Sequence, residues 1–159
     1  MEQQAPPPHV RAEARATARF VFEVTLDVPP RDAIELFTPD GERKWADGWE
    51  PLYVNTPDVR RVGAGTVFTT DDHAVARIWI VDAYDRDAGV VGYTVFTSEE
   101  NVTRIAIRVS SRAGGSVARV SYDRTSLNAN ADANVELFAR HAHLMQTQWQ
   151  RALDALHRH

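Results

Sequence analysis

The stretch that most constrains this chain is its last one. From Ala131 to Leu156 apolar residues recur at helical spacing. With Leu137 at zero and about 100° per residue, Leu144, Met145, Ala152, Phe138, Trp149 and Leu156 fall on one broad face. Arg140, His143, Gln146, Thr147, Gln150 and Asp154 fall mostly on the other. The pattern predicts one long helix laid against something apolar. His141 and Gln148 interrupt the apolar face, about two turns apart on the same side. Buried there, each needs a partner, because an unpaired buried polar group costs about 1–3 kcal/mol. Protein groups can supply those partners, or the two side chains face a polar cavity.

What the helix would lie on is a run of strands. Arg19 to Val28 reads as a strand, with Phe20, Phe22, Val24 and Leu26 on one side and Glu23, Thr25 and Asp27 on the other, although the apolar Val21 breaks the alternation. Pro29-Pro30 ends it, and Pro30 suits the first turn of a helix over 30–38, with Ala33, Ile34 and Phe37 inward. Asp40 is placed to cap a second short helix running to Trp45. Further strands are predicted over 50–55, 66–70, 74–84, 90–96, 102–110 and 116–127. In the last two, Thr103, Ile105, Ile107 and Val109 share one face, as do Ala118, Val120 and Tyr122. Short turns such as Ala113-Gly114-Gly115 join consecutive strands, which argues for an antiparallel meander. Residues 128–134 read as a loop. The first 18 residues, with Pro6-Pro7-Pro8, read as a poorly ordered tail, and 19–159 as a single domain.

Composition narrows the chemistry. There is no cysteine, hence no disulfide, thiolate metal site or cysteine nucleophile. A net charge of −4 gives no general attraction to nucleic acid or anionic membrane. No run approaches the about 18 apolar residues a membrane span needs, and the proline-rich start is unlike a signal peptide, so a cytoplasmic protein is expected. Lys44 is the sole lysine, which argues against Schiff-base chemistry. Gly63-Ala64-Gly65 lacks the helix and lysine of a phosphate loop. Asp71-Asp72-His73 aligns two ligands at most, His141-Ala142-His143 diverges on a helix, and His157-Arg158-His159 ends the chain; no metal or other cofactor is expected.

Strand, two short helices, about six antiparallel strands and a long terminal helix resemble the helix-grip fold of the START/Bet v 1-like (SRPBCC) superfamily, which includes polyketide cyclase-like proteins. The resemblance covers residues 19–156. It is carried by Val28-Pro29-Pro30, Ile34 to Phe37, Asp40-Gly41-Glu42-Arg43, Trp45 to Trp49, Trp79, Gly92-Tyr93, Val120 to Leu127 and Trp149. It implies an α+β protein with a curved antiparallel sheet of six or seven strands gripping the last helix. It supplies no universal catalytic motif. Members include carriers of apolar ligands, cyclases and aromatases, and co-chaperones.

A ligand space between sheet and helix gives a list of candidates. His141 is a wall residue, an acid–base group or a core histidine; Gln148 orients a ligand or is a solvated amide. Phe138, Leu144, Met145 and Trp149 are wall or plain core. Tyr84, Tyr93 and Tyr122, if inward, make a polar-rimmed aromatic pocket suited to a flat or steroid-like molecule. Trp79 shares parity with Arg77, which draws its face toward water. Trp45 and Trp49 pack the short helices at the sheet mouth or stack on a ligand there, where they could also gate it. Strand parity alone leaves the faces open, since one bulge reverses them. Three functions stay in view: binding of a small apolar or aromatic molecule, a cyclase/aromatase-like enzyme using His141 and a tyrosine on a carbonyl compound, and a co-chaperone-like interaction protein. Meander edges also leave a homodimer open.

Overall fold

The computed structural model describes residues 14–57, 61–72 and 74–156. Seven strands form one antiparallel sheet in the order β1-β7-β6-β5-β4-β3-β2. They are β1 (Thr17–Leu26), β2 (Leu52–Tyr53), β3 (Val67–Asp72), β4 (Val75–Asp85), β5 (Val90–Thr97), β6 (Asn101–Arg112) and β7 (Gly115–Ser126). After β1 come α1 (Pro30–Glu35) and a 3₁₀ turn (Gly41–Lys44); after β7 come α2 (Ala129–Arg140) and α3 (Ala142–Leu156). This is the helix-grip arrangement. Residues 1–13 of the expected tail, His73 and residues 157–159 lie outside the described residues. The expected tail overlaps β1, which begins at Thr17 with Ala18 already buried. Among the described residues no helix is long and apolar enough to cross a membrane.

Alternation decides which sheet face is covered. Phe22, Val24 and Leu26 of β1, Ile105, Ile107 and Val109 of β6, and Ala118 and Val120 of β7 are all buried on the inner face. One inner row runs Val81–Tyr93–Ile105–Tyr122–Phe20 across five strands. In β4 the register shifts between Val81 and Ala83. That bulge puts Val81 and Tyr84, three residues apart, on the same side, which regular alternation forbids.

The terminal helix differs from expectation in two ways. It starts at Ala129, capped by the Asn128 side chain accepting from the Ala131 N–H (3.0 Å), where a loop was expected. It is also interrupted at His141, whose φ of −102° and ψ of 11° leave the helical region. The buried arc is Ala131, Val135 and Leu153, flanked by Phe138, Met145 and Trp149. That arc is centred about 120° around the axis from Leu137. Leu137 and Leu144 are therefore 45% and 47% exposed, and His141 and Gln148 go to solvent with them. Asp40, expected as a capping side chain, makes no cap bond and instead pairs with Arg43 at 3.1 Å.

The sheet edges are blunted. β2 is two residues long. At β1, Gln150 of α3 accepts from the Thr25 N–H (2.9 Å) and donates to the Thr25 carbonyl (3.0 Å), replacing the missing neighbour strand. Gln146 donates to the Glu23 carbonyl (3.2 Å). Gln150→Ala should cost about 1 kcal/mol, read as a lower urea midpoint at unchanged m-value, because water can re-solvate the half-buried edge only in part.

Candidate functional site

The site grows from the segment after α1. The Thr38 hydroxyl donates to the Glu35 carbonyl (2.7 Å) and accepts from the Gly41 N–H (3.0 Å). Gly41 is pressed onto α1, where any Cβ would overlap the Glu35 carbonyl oxygen. The chain thus brings Glu42, Trp45, Ala46 and Trp49 inward at helical spacing. Regular structure ends at Lys44, but the Ala46 N–H still donates to Glu42 O (2.8 Å) and the Trp49 N–H to Ala46 O (3.3 Å). Arg43 points the other way and pins the segment through Asp40, Glu50 (3.0 Å) and the Pro51 carbonyl (2.9 Å).

Between this segment, the sheet and α3 lies a cavity of about 170 Å³. Glu42, Trp45, Ala46 and Trp49 form one wall. The sheet contributes Trp79, Tyr93, Ile105, Ile107 and Tyr122, and α3 contributes Trp149. All four tryptophans of the chain meet here. Their rings pack edge to face: Trp45 on Trp149 at 5.2 Å, Trp49 on Trp79 at 5.1 Å, Trp79 on Tyr93 at 5.7 Å.

Most polar tips of these rings are tied into the protein. Trp45 Nε1 donates to Leu36 O (2.7 Å), Trp49 Nε1 to Pro39 O (2.6 Å), Trp79 Nε1 to Thr70 Oγ1 (2.9 Å) and Tyr93 OH to Phe37 O (2.6 Å). These bonds hold the rings in place and use up their donors. The Glu42 carboxyl, the Tyr122 hydroxyl and the Trp149 indole N–H make no hydrogen bond among the described residues.

Burial drives the electrostatics. Desolvation pushes the Glu42 carboxyl well above the usual carboxylate range. Tyr93 and Tyr122 are raised by burial first and by the Glu42 charge second. Arg124 and Arg77 act on Tyr122 in the opposite sense. Arg124 lies 3.7 Å over the Phe138 ring, and its Nε donates to Thr103 Oγ1 (2.8 Å). Glu42 can therefore stand as a neutral acid that donates a proton to a ligand, or as a carboxylate beside a bound cation.

Two other hollows differ in kind. One of about 350 Å³ is lined by Glu35, Thr38, Asp40, Lys44, Tyr53 and Tyr84. The Tyr53 hydroxyl is buried without a hydrogen-bond partner, and burial, then Asp40, push it up to about 12. The other, about 520 Å³, is a trough on the outer sheet face, where Val21, Ser121, Ala106 and Gly92 face one another across the strands. Small side chains explain it.

Of the expected residues, Trp79, Tyr93, Tyr122 and Trp149 come together at the cavity. Tyr84 lines the other hollow. Phe138 packs on Phe20 (5.1 Å) and Tyr122 (5.8 Å), and Met145 joins the core. His141, Gln148 and Leu144 are exposed and line none of these hollows, because the helix turns them outward. Trp79 lies on the covered face; Ile78 and Ile80 of the same strand face water, reversing the expectation drawn from Arg77. Glu42, Trp45 and Trp49 were not expected to form a ligand site together. Their signal was present: an acid and two tryptophans at i, i+3 and i+7.

No protein-family model matches the chain, and no curated protein matches it. Solved structures do. The chain is similar to Ara h 8.0201, at 19% identity over 89% of this chain and 98% of that one, TM-score 0.65. It is similar to norcoclaurine synthase from Thalictrum flavum in complex with dopamine and hydroxybenzaldehyde, at 11% identity over 100% and 98%, TM-score 0.65. It is also similar to CalU16 from Micromonospora echinospora, at 14% identity over 92% and 82%, TM-score 0.56. At such identities the likeness is one of fold, and it agrees with the strand order and the helix placement: the chain has the Bet v 1-like helix-grip fold.

Proposed function

We propose that the protein binds a small, mainly apolar or aromatic molecule in the cavity between the sheet, the Glu42–Trp49 segment and α3. The observation that carries this reading is the cavity itself, with ring walls already locked by hydrogen bonds. A volume of about 170 Å³ sets the size. An apolar cavity of about 150 Å³ holds benzene, so one ring-sized group fits and a whole steroid does not. The same-fold structure holding dopamine and hydroxybenzaldehyde, each built on one ring, supports that scale. The reading keeps the protein in the cytoplasm, with no nucleic acid or membrane as partner.

A catalytic reading is favoured by one observation, the unpaired Glu42 carboxyl in the same cavity as Tyr122. Such an acid could protonate the carbonyl of a bound compound, as a cyclase-like enzyme requires. Glu42 and Tyr122 take the part that His141 and a tyrosine held in the sequence-based expectation.

Tryptophan fluorescence tests the binding reading, since all four indoles line the cavity. Single-ring compounds such as toluene, phenol and benzaldehyde should perturb it saturably, and steroids should not. Native mass spectrometry of protein from its own host should show a small adduct released on denaturation. A steroid binding as tightly as phenol, or no saturable response to any single-ring compound, would count against the proposal.

A further inference from the structure

We infer that the group bound in this cavity is a methylated ammonium cation, held over the tryptophan faces with Glu42 as its counter-charge; the inference rests on the ligand-binding reading above. Three features of the cavity point there. First, its walls are aromatic rings set at steep angles to one another, Trp45 with Trp149, Trp49 with Trp79 and Trp79 with Tyr93, and a ring face turned to the cavity attracts a cation through its quadrupole.

Second, the single acid of the wall has no protein partner. Glu42 makes no hydrogen bond or ion pair among the described residues, and no lysine or arginine lines the cavity. A neutral aromatic ligand would leave that carboxyl as costly as it was before binding. A cation converts it into half of an ion pair. The nearby guanidiniums, Arg77 and Arg124, bear on Tyr122, and Arg124 is engaged by Phe138 and Thr103.

Third, donors and acceptors choose between classes of ammonium. A primary ammonium carries three N–H donors and needs an acceptor for each. The indole N–H groups of Trp45, Trp49 and Trp79 are spent on the backbone and Thr70 and accept nothing, so the side-chain acceptors are the Glu42 carboxylate and the Tyr93 and Tyr122 oxygens, and the rest of the wall is ring and aliphatic surface that offers a primary ammonium no acceptor. A trimethylammonium group needs none, and it is comparable in bulk to the ring that a cavity of about 150 Å³ accepts.

The test compares choline and tetramethylammonium with 3,3-dimethyl-1-butanol, which has choline's shape without its charge. Binding is read by tryptophan fluorescence and calorimetry on the unaltered protein. The expected result is saturable choline binding about tenfold or more tighter than that of the butanol. Glu42→Gln should weaken choline by a similar factor and the butanol by much less. Butanol or phenol binding as tightly as choline overturns the inference and leaves the cavity reading standing. If neither the cations nor the single-ring compounds bind, both readings fall. The comparison in the unaltered protein decides the matter even if the Glu42→Gln variant does not fold.

Discussion

Glu42→Met should stabilise the protein at neutral pH by about 1–3 kcal/mol. The Glu42 side chain shares its cavity with tryptophan and tyrosine rings, and no described group bonds to its carboxyl. Folding therefore strips the half-buried acid of part of its hydration and gives its carboxyl no protein hydrogen bond in return. Methionine keeps the length of the side chain, fills an irregular space and suits aromatic neighbours. The expected signature is a melting temperature higher by about 2–4 °C per kcal/mol.

The pH dependence carries the sign. Burial raises the folded pKa of Glu42 above the unfolded value of about 4.3, so between the two the native state holds the extra proton. The Glu42 contribution to stability is then most favourable below the unfolded pKa, falls as pH rises toward the folded pKa, and levels off above it. The titratable groups whose pKa responds to Glu42 are Tyr93 and Tyr122, both raised and so neutral throughout that window. The Met variant should lack this fall, so its advantage should grow with pH. An advantage independent of pH, or a variant less stable than the parent, would mean that Glu42 is paired or solvated. A residue whose removal stabilises the fold is retained for another reason, and ligand binding supplies one.

Trp149→Ala should destabilise the protein by about 3 kcal/mol, the low end for a large aromatic because this ring is only half-buried. Trp149 is where the helix meets everything else. Its ring packs on Phe22 of β1 at 5.2 Å, on Phe37 after α1 at 6.1 Å, on Trp45 at 5.2 Å and on Tyr122 of β7 at 6.4 Å. Each such pair adds about 0.5–1.5 kcal/mol beyond the area it buries. Against a total of about 5–15 kcal/mol the loss is large, and a urea titration will show it. Leu153→Ala is the control. Leu153 is fully buried in the same helix and lines none of the hollows, so it should destabilise comparably and leave ligand affinity unchanged. Trp149→Ala should also enlarge the cavity and admit molecules bulkier than one ring. Equal effects of the two substitutions on binding would make Trp149 core rather than wall.

Some of this was legible in the chain. β6 and β7 were readable because Thr103, Ile105, Ile107 and Val109, and Ala118, Val120 and Tyr122, alternate without a break, and the ladder keeps that parity. β4 was harder. Its bulge after Val81 brings Tyr84 round to the side of Val81, and nothing in its apolar run marks where parity changes. The helix was readable as a helix and not as to phase. Leu137 and Leu144 define an apolar arc as well as Val135 and Leu153 do, and hydrophobic spacing alone cannot say which arc meets the sheet.

The sequence by itself determined the order of elements, the antiparallel meander and its closing helix, because period, turn residues and prolines act over a few neighbours. Only the tertiary structure decided the site. Glu42 and Trp149 are 107 residues apart in the numbering and share one cavity. The rotation of α3 and the close seating of Gly41 on α1 bring them there, and both depend on packing between distant segments. His141, conspicuous in the sequence, is exposed for the same reason: where a helical side chain points is set by the surface beneath it.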